Sequence, residues 1–139
     1  MSSLLQLPLL AQMLGPEATV GVVVSNRERL KPQHLRMATA DLEMRIAVAS
    51  MDGKPHFRAA VSEQSGVLDF EKVEMEVVQV CEALVADEQH VKAILFECVD
   101  LPPYAPAVQR AVGLPVFDIT TLIGHAFAGL VRKQFTGIY

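Results

Sequence analysis

The sequence predicts an open α/β fold with four parallel strands and helices on both faces. Three observations carry this. Short apolar runs recur at "TVGVVVS", "MRIAVASM", "VKAILFEC" and "LPVFDI", and stretches of helical periodicity separate them. The chain of 139 residues is long enough to bury one good core and suits a single domain. Hydrophobic residues make up 51% and charged residues 20%, a balance that excludes global disorder.

The elements follow in order. Leu4, Leu5 and Leu7 read as a separate turn of helix behind Ser2 and Ser3. Pro8 suits the first turn of the helix that follows, and Leu9, Leu10, Met13 and Leu14 keep helical spacing until Gly15 and Pro16 stop it. This stretch lacks the charged start and cleavage motif of an export signal. "TVGVVVS" is a strand buried on both faces, ending at Ser25. "KPQHLRMATA" is a helix with Pro32 near its start, "MRIAVASM" the second strand, and "DGKPHF" a polar loop. In "DFEKVEMEVVQVCEALVADE", Asp69 caps a long helix whose apolar stripe is Phe70, Val73, Val77, Cys81, Leu84 and Val85. "VKAILFEC" is the third strand. "APAVQRAVG" is a helix with Pro106 in its first turn and Gly113 as a left-handed C-cap. "LPVFDI" is the fourth strand, and "TTLIGHAFAGLVRKQF" a closing helix capped by Thr120 or Thr121.

Composition excludes several functions. A net charge of -4 argues against a nucleic-acid surface, which needs clustered Lys and Arg. No apolar run approaches the roughly 18 to 20 residues that cross a bilayer, so no membrane partner is expected. Cys81 and Cys98 have no paired spacing, which fits a reducing cytoplasm. His34, His56, His90 and His125 are scattered, so no metal site is expected. "SNRERL", after the first strand, has no glycine and thus no dinucleotide fingerprint.

In open α/β sheets, ligands bind outside the carboxyl ends of the strands. Cys98 falls at one such end, whereas Cys81 lies on the apolar stripe of the long helix and reads as core. The N-terminus of the helix after Cys98 favours an anion, and Glu97 and Asp100 oppose one by like charge. Spacing alone leaves both a packed and a reactive Cys98 open.

"ILFECVDLPPYAPAVQRAVGLPVFDITTLI" resembles the C-terminal half of the aspartate/glutamate/hydantoin racemase superfamily. The likeness extends back through "VGVVVSNRERLKPQHL" and the long helix, from about residue 19 to about 135. "SSLLQLPLL" resembles the helix that ends the family's first half. The resemblance implies residues 1–15 as the end of a missing first lobe and residues 16–139 as a flavodoxin-like C-terminal lobe. It also implies cofactor-independent proton transfer at a carbon beside a carboxylate. Cys98 would be one acid/base, its thiolate aided by a depressed pKa, and the substrate a small carboxylate or amino acid. Ser25 and Asn26 would hydrogen-bond the substrate carboxylate, although an ordinary helix cap explains the pair equally well. Val99 and Asp100 complete the expected substrate contacts. They depart from the threonine common after the cysteine and the histidine that one branch has next.

The family's other catalytic cysteine lies in the first lobe, so the resemblance implies an amino-acid racemase-like isomerase with little or no activity as this chain alone. Two other readings stand beside it: a non-catalytic small-molecule binding or assembly module, and a single-cysteine, decarboxylase-like member of the superfamily. Without the other lobe, Leu4, Leu5, Leu9 and Leu10 and the face of "LIGHAFAGLV" would be exposed, which predicts a homo-oligomer, preferably a dimer.

Overall fold

Six consecutive buried residues put β1 (Thr19–Val24) at the centre of the sheet, where side chains on both faces meet helices. The computed structural model describes residues 2–40, 42–63, 68–134 and 137. Beside β1 lie β2 (Arg45–Ser50) and β3 (Val91–Phe96), and β4 (Val116–Phe117) pairs with β3. All pairings are parallel and the order is β2-β1-β3-β4. This is the predicted flavodoxin-like sheet, and its strand order reverses between β1 and β3.

One face is covered by α4 (Phe70–Asp87) and α5 (Ala105–Val112). Val73, Val77, Cys81 and Leu84 of α4 are buried as the stripe predicts, and Val85 is half-buried. Phe70 instead lies at the rim, its ring 4.9 Å from that of Tyr104. Gly21 lets α4 approach β1, since a Cβ there would sit 2.8 Å from Leu84 Cδ2. Gly113 ends α5 at φ 68°, the predicted left-handed cap.

The other face is covered by a 3-10 turn (Ser3–Gln6), α1 (Leu7–Leu14) and α2 (Pro32–Thr39), over Val20, Val22, Val24 and Leu95. Here the exposure expected of the leucines divides. Leu4 and Leu10 are buried, while Leu5 and Leu9 face outward with Met13. The Ser3 hydroxyl donates to Phe96 O at 2.7 Å and fixes the segment to the end of β3.

Three other expectations are corrected. The "polar loop" contains α3 (Pro55–Phe57), continued by a wider π-type turn over Arg58–Ser62, with Phe57 buried. The buried carboxylate of Glu76 accepts from His56 N at 3.0 Å and Phe57 N at 2.8 Å, so a tertiary contact holds the segment. Next, β4 is only two residues long, because Pro115 precedes it and Asp118 leaves the sheet as a cap. Finally, α6 (Ile119–Leu130) is capped by Asp118 and not by Thr120 or Thr121. Asp118 Oδ1 accepts from Thr120 N at 2.7 Å and Thr121 N at 3.1 Å. This helix ends at Leu130, and Phe135 of the expected span lies outside the described residues. Among the described residues no helix is long and apolar enough to cross a membrane.

Candidate active site

Parallel strands deliver all their carboxyl ends to one edge, and the reversal of strand order parts the loops after β1 and β3. Ser25 and Asn26 leave β1 into a 3-10 turn, Arg27–Arg29. Asn26 Oδ1 accepts from Glu28 N at 2.9 Å, so its side chain is the cap that the alternative reading anticipated. From the end of β2, Asp52 Oδ2 accepts from Arg27 N at 2.9 Å and from the Ser50 hydroxyl at 2.6 Å. These bonds hold the Asp52 carboxyl below the usual carboxylate range, the Ser50 bond foremost.

The loop after β3 is held at both ends. Glu97 N donates to Val23 O at 2.9 Å, and buried Leu101 anchors the far side. Between them lies Cys98, only 8% exposed, beside outward-facing Val99. The Cys98 thiol donates to Asp100 Oδ2 at 3.7 Å.

A cleft of about 290 Å³ opens between the two loops. It is lined by Ser25, Asn26, Cys98, Val99 and Asp100, all the residues singled out from sequence, together with Arg29, Leu30 and Glu97. An adjoining cavity of about 510 Å³ shares Ser25, Asn26, Arg29 and Asp100 with it, and Asp52, Phe57 and Arg58 add to its wall. Sequence reasoning missed Arg29, Asp52 and Arg58. The rule that located Cys98 also applies to the ends of β1 and β2, and it would have found the first two. Arg58 reaches the cavity through the unforeseen α3 segment.

The expected depressed pKa of Cys98 is corrected. Burial pushes the thiol up to about 11; the Asp100 backbone N–H opposes this, while the Asp100 and Glu97 carboxylates add to it. At neutral pH the group is a thiol. Cys81, fully buried in the core, is pushed up to about 12 by burial and by Glu82. Among the described residues, no group of three or more His, Cys, Asp or Glu is placed to hold a metal ion.

Fold and cleft together define an α/β protein with a racemase-like architecture and a cysteine at the switch point. A solved glutamate racemase from Bacillus anthracis superposes with a TM-score of 0.57 at 11% identity, covering 89% of this chain and 48% of that one. At that identity the likeness is one of fold alone. In sequence, the chain is 33% identical over 143 residues to the dimethylsulfoniopropionate lyase of Durusdinium sp. clade D, covering 99% of this chain and 46% of the lyase. It is 30% identical over 146 residues to dimethylsulfoniopropionate lyase 3 of Emiliania huxleyi, covering 99% and 38%. The chain therefore spans less than half the length of these relatives. No protein-family model matches it. The racemase function expected from sequence is overturned: the relatives that share sequence along nearly the whole chain are named as lyases.

Proposed function

We propose that this chain is the cysteine-bearing, C-terminal-type lobe of a lyase acting on dimethylsulfoniopropionate or a close analogue. The observation that carries the reading is Cys98, set in the cleft of a chain that is alike over 99% of its length to lyases of that substrate. The substrate's name specifies a sulfonium cation two carbons from a carboxylate. A base removes a proton from the carbon beside the carboxylate, and the freed electron pair forms the carbon–carbon double bond. The carbon–sulfur bond breaks, and dimethyl sulfide leaves with that bond's electrons. The products are acrylate, neutral dimethyl sulfide and a protonated base.

Such an elimination needs proton removal on one face only, whereas racemisation needs a second acid/base on the opposite face. One cleft cysteine thus suits a lyase better than a racemase. Cys98 is the proposed base. The sulfonium charge, once bound near the sulfur, favours its thiolate and offsets the burial that raises its pKa. Glu97 and Asp100 give that cation an acidic surround. Headspace chromatography of dimethyl sulfide tests the reading. Release is expected to fall about 100-fold or more in Cys98→Ala. Release unaffected by that substitution, or absent from the wild-type chain, overturns it.

A further inference from the structure

We propose that Arg29 is the carboxylate anchor of the cleft, and that Arg29 and the acidic wall opposite select ligands with a carboxylate at one end and an onium cation at the other. The onium half rests on the lyase reading, while the carboxylate half stands on the cleft itself.

Three arginines lie near the site, and two are engaged elsewhere. The Arg27 guanidinium donates to Val48 O at 2.9 Å. Arg58 pairs with Glu63 at 3.0 Å. Arg29 lines both cavities, and among the described residues it forms no ion pair. Its backbone is fixed from two sides: Asn26 caps the turn through Glu28 N, and Asp52 holds Arg27 N. Asn26 thereby acts on the ligand through Arg29, as a positioning residue. A planar guanidinium presents paired N–H donors that match a carboxylate.

Three side chains of the lining carry the opposite charge. Glu97 and Asp100 flank Cys98, and Asp52 borders the larger cavity. A dicarboxylate gripped by Arg29 would direct its second carboxylate at this wall, and like charges repel. An onium group would be attracted there, beside the Cys98 thiol. The same charge arrangement therefore disfavours aspartate and glutamate and favours a β-onium carboxylate.

Propionate, which carries the carboxylate without the onium, is the probe. It is expected to slow iodoacetamide labelling of Cys98, read by peptide mass spectrometry. Arg29→Gln is expected to raise the half-protecting concentration about 10-fold or more, Arg29→Lys less, and the distant Arg110→Gln not at all. In the dimethyl sulfide assay, Arg29→Gln is expected to raise KM about 10- to 100-fold with little change in kcat. For the substrate analogue in which an uncharged carboxamide replaces the carboxylate, and which keeps the sulfonium charge, it should leave KM unchanged. Absence of dimethyl sulfide release, with Arg29-dependent protection intact, ends the lyase reading and keeps the anchor. Cys98-dependent release with KM and protection both indifferent to Arg29→Gln overturns the anchor, as does failure of propionate to protect the wild-type chain.

Discussion

Cys98 combines an exposed position in the chain with a buried position in space. Only Glu97 separates it from the end of β3, yet it shares a buried cluster with Leu101 and Tyr104 and is only 8% accessible. Burial and two neighbouring carboxylates keep its proton on. Because alkylation proceeds through the thiolate, labelling of Cys98 is expected to keep rising above pH 9, towards a midpoint near 11. Cys81, with a value near 12 and no exposure, should react more slowly throughout. Asp100→Asn removes one of the charges that raise the thiol's pKa, so it should move the Cys98 midpoint down. A midpoint that stays put or climbs in Asp100→Asn would refute this account of the site's electrostatics. The place of Cys98 was legible in sequence because a strand end is a local feature. Its acidity was not, because it depends on what packs over the loop from elsewhere in the chain.

The elements divide on the same principle. β1, β3 and α4 were legible because their own apolar patterns describe the faces they bury. Sequence alone groups Leu4, Leu5, Leu9 and Leu10 as one exposed set, although Leu4 and Leu10 turn inward with Leu7, and Leu5 and Leu9 outward with Met13. The segment Pro55–Phe57 reads as a loop in sequence because nothing within "DGKPHF" shows that it is helical. Its hold is Glu76, 19 residues away from Phe57, whose carboxylate accepts two backbone N–H groups. Glu76→Ala would leave those donors without their partner near a buried aromatic. The expected cost is about 1 to 3 kcal/mol, with Glu76→Gln intermediate because its amide oxygen still accepts. Urea unfolding measures the loss. Since Phe57 and Arg58 wall the larger cavity, Glu76→Ala should also weaken propionate protection of Cys98. Unchanged stability in Glu76→Ala would mean that the segment is held by other means.

At the scale of the whole molecule, α6 is the element that the chain alone does not explain. It begins well anchored: Asp118 caps it, Gln6 Nε2 donates to Asp118 O at 2.8 Å, and the Thr121 hydroxyl donates to Gln6 Oε1 at 2.9 Å. Beyond that first turn residues 123–130 are all exposed, and none of the 12 residues of the helix is buried. A helix of that length is marginal in water without a packed face. Its apolar residues recur at helical spacing, with Ile123, Phe127, Leu130 and Val131 all at least half exposed. No Asp, Glu, Lys or Arg interrupts the sequence from Ile119 to Val131. A stripe without charge is complementary to itself, so two copies can pair through it about a two-fold axis. Burying each such side chain contributes roughly 1.5 to 3 kcal/mol. The proposed assembly is therefore a homodimer held by α6 against α6. Light scattering at micromolar concentration should give twice the 15.2 kDa chain mass. Phe127→Lys together with Leu130→Lys should return it to the monomer with the core intact, because both side chains are more than half exposed and neither belongs to the core clusters among the described residues. A wild-type monomer would refute the dimer. A dimer that survives the paired substitution and dissociates with Leu5→Lys and Leu9→Lys would place the interface on the first helices instead.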